Sequence, residues 1–228
     1  MTGARSAVES MTRPLSQLAI SAARWPPAAA LVGLLAFGAL FPERYGFLPV
    51  WASGPMWSLV LSLLALSTFA HVSPVLRRLE SSVTWGLLVL VTGLLIFSVL
   101  HLAVLVLGQG SELRSLPLLA TGATLWLSNL VVFALWYWLI DRGGPEERLR
   151  GTIVPPDLQF PRPADPSGEG WTPQFFDYVF FAFNTSIAFS PADTSPMTRR
   201  GKVLMMTQAL VSLVTLVVVV ARAVNLLD

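Results

Sequence analysis

The chain has 228 residues, 54% of them hydrophobic and only 12% charged, with a formal net charge of +2 and a mean hydropathy of +0.65. Soluble domains carry about 25% charged residues. Here the charges also cluster between long apolar runs, so an ordinary soluble domain is excluded and a polytopic membrane protein is indicated. The pI near 9.5 reflects basic loops that face anionic lipid, and no nucleic-acid partner is expected. The absence of cysteine excludes disulfides, thiolate catalysis and Cys-ligated metals.

The first apolar run begins near Trp25, after an Arg-bearing tail, and no A-x-A-like site follows it, so no cleaved signal peptide is expected. Four apolar stretches come before residue 141, each near the roughly 20 residues that cross a bilayer. They cover 25–41, opened by Pro26-Pro27; 55–72, closed by Ser73-Pro74; 83–107, stopped at Gly108-Gln109-Gly110-Ser111; and 116–140, ending in Trp136-Tyr137-Trp138. Such an aromatic cluster sits at headgroup level. The stretch 1–140 thus reads as a four-helix transmembrane region with a cytoplasmic N-terminal tail. Residues 141–170, with Pro155-Pro156, Pro161, Pro163 and Pro166, are predicted to be an extended surface loop with little regular structure. The tail, 171–228, holds a short aromatic segment, a polar knot, a basic turn and a last span over 203–227.

Orientation follows from the basic residues. Arg5, Arg13, Arg24, Arg77, Arg78, Arg142, Arg148, Arg150 and Arg162 fall on one side of alternating spans, and Arg44 and Arg114 on the other. That bias places the N-terminus in the cytoplasm of a bacterial-type inner membrane. The segment 171–189 is then long enough to dip into the bilayer or barely to cross it. Dipping keeps Arg199, Arg200 and Lys202 inside, and the Ser190-Pro191 break shortens the helix. The expected fold is all-α: about five spans plus a short re-entrant helix, or six spans if that helix crosses.

Asp177-Tyr178 through Arg222-Ala223-Val224-Asn225 resembles the end of an uncharacterised family of bacterial integral membrane proteins, in which a Phe/Tyr-rich segment, a Ser/Thr-Asp knot, an Arg pair and a last helix follow similar spans. The likeness covers about the last sixty residues, with weaker support from Phe133-Ala134-Leu135-Trp136-Tyr137 and Phe160-Pro161. The family carries no assigned function. More distantly, the same tail is similar to the pore region of potassium-type channels. Laid on Asp193 and on Thr198 to Lys202, the filter Thr-Val-Gly-Tyr-Gly-Asp falls on Ala188-Phe189-Ser190-Pro191-Ala192-Asp193. Only the Asp survives. Ser190 and Ala192 replace both glycines that would aim successive carbonyls at one axis, and Pro191 cannot take positive φ. The resemblance therefore implies a pore of low or unknown selectivity; the charge placement faces the loop inward, against the ordinary channel plan, and in this the tail resembles the inverted pore of glutamate-receptor channels.

The pore or loop candidates are Asp177, Asn184, Thr185, Ser186, Ser190, Pro191 and Asp193. Each has a plainer reading. Asp177 near a helix start complements the helix dipole, Asp193 fits a turn, Arg222 snorkels to headgroups, and Asn129 and Asn184 join helices. His71 and His101 stand about thirty residues apart with no carboxylate at ligand spacing, so no metal site is expected. With no G-x-S-x-G and no phosphate loop, neither an enzyme nor a cofactor is expected. The lipid bilayer is the first partner. A homo-oligomer conducting a monovalent cation, a non-conducting accessory protein and a small-solute transporter stay open as readings. The transporter lacks the matching interruptions of an internal repeat.

Overall fold

The computed structural model describes residues 29, 32–33, 74–108, 115–149, 153–161, 171–188 and 193–224. These residues are mostly helical: α1 (Pro74–Gly108), α2 (Ser115–Ile140), a 3-10 turn (Asp141–Gly143), α3 (Pro145–Leu149), α4 (Phe175–Ala188) and α5 (Arg199–Val224), with two-residue strands β1 (Leu158–Gln159) and β2 (Ser195–Pro196). Among the described residues, three stretches, Ser81–Val106, Leu118–Gly143 and Arg199–Ala221, are long and apolar enough to cross a membrane. The predicted spans 25–41 and 55–72 lie outside the described residues, except that Ala29, Val32 and Gly33 are helical and Val32 packs on the core.

Helix α2 is apolar on every side, and such a helix belongs in the middle of a bundle. It is the most buried of the three long helices, with α1, α4 and α5 packed on it. Leu125, Val132, Phe133 and Tyr137 of α2 meet Leu95 of α1 and Tyr178 and Phe181 of α4 in one apolar core. Gly122 lets α5 approach closely: a Cβ built there would collide with Val219 Cγ2. Small residues at such crossings let helix backbones close up where hydrocarbon supplies no driving force.

The path of the tail decides the architecture. Helix α4 starts beside the C-terminal end of α2, with the Phe175 ring 6.1 Å from Trp138 and the Tyr178 hydroxyl on Asp141. It runs back along α2, placing Phe181 against Tyr137 and Phe183 against Trp126. Helix α5 starts at the same end, where Arg200 reaches the Ile140 carbonyl, and also runs antiparallel to α2, reaching Gly122 at Val219. Helices α4 and α5 are therefore parallel to each other. Between them the chain is back at the Asp141 end by β2, which pairs antiparallel with β1.

Several boundaries differ from the sequence reading. Helix α1 begins at Pro74, nine residues before the predicted span, because proline fits a first helical turn. Arg199 to Lys202 form the first turn of α5 and not a separate basic turn. The Thr198 hydroxyl accepts the Gly201 N–H, capping that helix. The half-helix does not stop at the polar knot: Asn184 to Ala188 continue it, and the Thr185 hydroxyl bonds back to the Phe181 carbonyl. The segment 141–170 is not simply an extended surface loop. Its start is helical, and Asp157 and Leu158 are both 0% exposed. Among its described residues, side-chain acceptors hold the irregular backbone down.

Candidate functional site

Two polar clusters fix α4 within the bundle. The first lies at the Asp141 end. The Asp141 carboxylate, 0% exposed, accepts three donors: the Asp157 and Leu158 backbone N–H groups at 2.9 and 3.2 Å, and the Tyr178 hydroxyl at 2.7 Å. Buried carboxylates persist only when their lone pairs are taken up in this way. Arg142, Gly143 and Gly144 all adopt positive φ, which turns the chain sharply off α2. Arg148 then folds back to donate to the Trp138 and Asp141 carbonyls and stacks over the Trp138 and Tyr178 rings. Burial pulls its guanidinium below the ordinary value, with Tyr178 and Asp141 opposing.

Asp157, also 0% exposed, binds Arg200 in a two-pronged ion pair with both nitrogen-oxygen distances at 2.6 Å. It further accepts the Thr198 hydroxyl, while its carbonyl takes the Met197 N–H. One short linker thereby ties the end of α2, the start of α4 and the start of α5 together.

The second cluster lies halfway along α5 and carries no charge. Gln208, fully buried, accepts the Tyr137 hydroxyl at 2.7 Å and donates to the Ala182 carbonyl and the Ser186 hydroxyl at 2.7 and 2.9 Å. Ser212 donates to the Ser186 carbonyl, one of the last four of α4, which have no partner inside their own helix. Asn129 donates to the Gln208 carbonyl at 3.3 Å, while its Oδ1 accepts nothing from any described residue. Gln208, Ser212 and Thr215 recur at helical spacing and line the inner face of α5.

The predicted site residues scatter over these features. Thr185 and Ser186 are corrected from loop-lining groups to buried helix residues: their hydroxyls face the bundle and are spent there. Asp177 sits in the first turn of α4, where its carboxylate accepts the Gln174 N–H at 2.7 Å, as the dipole reading expects. Asn184 is half-exposed on α4 and Asp193 is exposed. Ser190 and Pro191 lie outside the described residues, as does the side chain of Arg222. Asn129 joins α2 to α5. His101 stacks on exposed Phe97, His71 falls outside the described residues, and no acid, His or Cys cluster able to hold a metal occurs among those described.

Sequence reasoning missed Asp141, Asp157 and Gln208. Asp141 lies three residues after the Trp136-Tyr137-Trp138 cluster, and Gln208 is the one amide between Val203 and Ala221, so both carried a visible signal. Asp157 stood in a Pro-rich stretch and carried none. No family, curated protein or solved structure matches the chain.

Proposed function

We propose that this is a channel-like membrane protein whose α4–α5 hairpin is a re-entrant pore loop of low selectivity. One observation carries the reading. Helices α4 and α5 start at the same end, and α4 finishes beside the midpoint of α5, where Ser186 meets Ser212. A helix of 14 residues is about 21 Å long, too short for a hydrocarbon core of about 30 Å, which supports an α4 that dips without crossing. Irregular backbone at that depth is tolerated only against protein or a water-filled cavity. The C-terminal end of a helix also carries partial negative charge, which favours a monovalent cation over an anion. Copies of the chain would assemble so that the loops after Ala188 converge on an axis, with Asp193 at the mouth, in an inner membrane with the Asp141 end cytoplasmic.

Reconstitution tests this directly. Liposomes holding the purified protein and a potassium gradient should show cation flux that is lost in the Pro191→Gly, Asp193→Ala double variant. Flux no greater than that of the variant sinks the reading. It would leave the second one, a non-conducting accessory protein, which the internal use of the Thr185 and Ser186 hydroxyls favours. The hairpin has its own test. Single cysteines at Arg199 and at Ile153 should label from the same face of the membrane, and labelling from opposite faces would mean that α4 crosses.

A further inference from the structure

We infer that the outer face of α4 is an interface with a second copy of this chain, and that the Asn184 amides bond across it. On that face Phe176, Phe180, Phe183 and Ile187 recur at helical spacing, and all four are exposed. Asn184 stands beside them, half-exposed, and its amide makes no hydrogen bond with any described residue. It lies nine residues beyond Phe175, about 14 Å along the helix. That is the level of Ala182 and Ser186, which meet Gln208 halfway along α5. An amide turned to hydrocarbon at such a depth leaves two N–H groups and a carbonyl without partners. Asp177, two turns earlier on the same side, is at the headgroup end and accepts the Gln174 N–H.

The outer face of α5 shows what a lipid-facing surface of this protein looks like. Met206, Leu210, Leu213 and Val217 are exposed there, and the nearby Thr207 hydroxyl is already spent on the Val203 carbonyl. The Asn184 amide is not spent in this way. Two side-chain amides satisfy each other by a reciprocal pair of N–H···O bonds. A second copy inserted in the same sense carries its own amide at the same depth, so no other partner has to be matched to that level. Helix α4 ends one turn later at exposed Ala188, and backbone leaving a helix inside hydrocarbon has to be shielded by protein. The interface rests on the reading of α4 as lying within the bilayer and not on conduction.

The chain has no cysteine, so single cysteines report neighbours cleanly. In membranes holding the full-length protein, Phe180→Cys and Ile187→Cys should cross-link between copies through a short bis-maleimide, whereas Leu210→Cys and Leu213→Cys should not. Energy transfer between donor- and acceptor-labelled copies, diluted in phosphatidylcholine vesicles, gives the association constant. Asn184→Leu should weaken association roughly tenfold, as the loss of two interhelical bonds of ordinary size implies, and Asn184→Gln should weaken it less. The unfolding midpoint of each variant reports whether it folds. Cross-linking from α5 as efficient as from α4, an unchanged association constant in Asn184→Leu, or water-soluble maleimide reaching Asn184→Cys with no cross-linking from α4 each overturn the inference. Cross-linking from α4 without cation flux supports the interface and sinks the pore, and flux without cross-linking from α4 does the reverse.

Discussion

The two clusters that hold α4 solve one problem with opposite chemistry. At the Asp141 end the ties are ionic: two buried carboxylates, two arginines and a tyrosine. Halfway along α5 they are neutral: an amide, two serines and a tyrosine. On the proposed membrane reading, the difference follows the solvent. Near the headgroups water and lipid phosphates lower the cost of a charge that is imperfectly paired, whereas at mid-span an ion has no such relief. Neutral hydrogen bonds between helices are weak, averaging about 0.6 kcal/mol. The end cluster should therefore dominate stability, and the mid-span cluster should dominate where α4 points.

The largest effect should come from Asp141→Ala. It strands two backbone N–H groups and the Tyr178 hydroxyl, at about 1–3 kcal/mol for each buried donor left unpaired. A loss of about 3–5 kcal/mol in a detergent unfolding titration is expected. A loss below about 1 kcal/mol would mean that water already reaches the cluster and that the contrast with mid-span is false.

Next comes the helix crossing that sets the spacing of α2 and α5. Gly122→Ala drives a methyl into Val219, whose β-branched side chain has little freedom to turn away. Overpacking of this kind costs about 1–3 kcal/mol. Val219→Ala should rescue most of it, so a double-mutant cycle that shows simple additivity would place the two helices farther apart than described.

Gln208→Leu should cost less, about 1–2 kcal/mol, because Tyr137 and Ser186 each lose one partner while the packing volume is kept. The informative readout is position. Cysteines at Phe183 and Ile187, on the outer face of α4, should change their labelling rate in the Gln208 variant and not in one at Asp157. The reverse pattern would exchange the roles given to the two clusters.

Much of this was legible in the chain. Apolar runs gave the three described spans to within a turn at most ends, since hydrocarbon thickness imposes length directly. The half-helix was visible in Phe175 to Phe183. What could not be read was which polar groups meet. Thr185 and Ser186 were read as lining from the order of half-helix, loop and helix, yet a hydroxyl can satisfy itself on its own helix at Phe181 or on a neighbour at Gln208. Asp157 was invisible because its importance rests on contacts 43 residues away.

Asn129 offers the finest test of the contrast. Its amide nitrogen makes a long 3.3 Å bond to the Gln208 carbonyl, and its oxygen, fully buried, accepts nothing from the described residues. Replacing it with leucine removes one weak bond, worth about 0.6 kcal/mol in such a setting, and also removes an acceptor whose isolation costs about 1–3 kcal/mol. Leucine keeps the branched shape but is bulkier, and overpacking offsets part of the gain, so the sum should lie between neutral and about 1 kcal/mol of stabilisation in the same unfolding titration. A clear destabilisation would show that the Asn129 oxygen has a partner of its own at mid-span, which is what a hydrated path beside Gln208 requires and a dry, purely structural cluster does not.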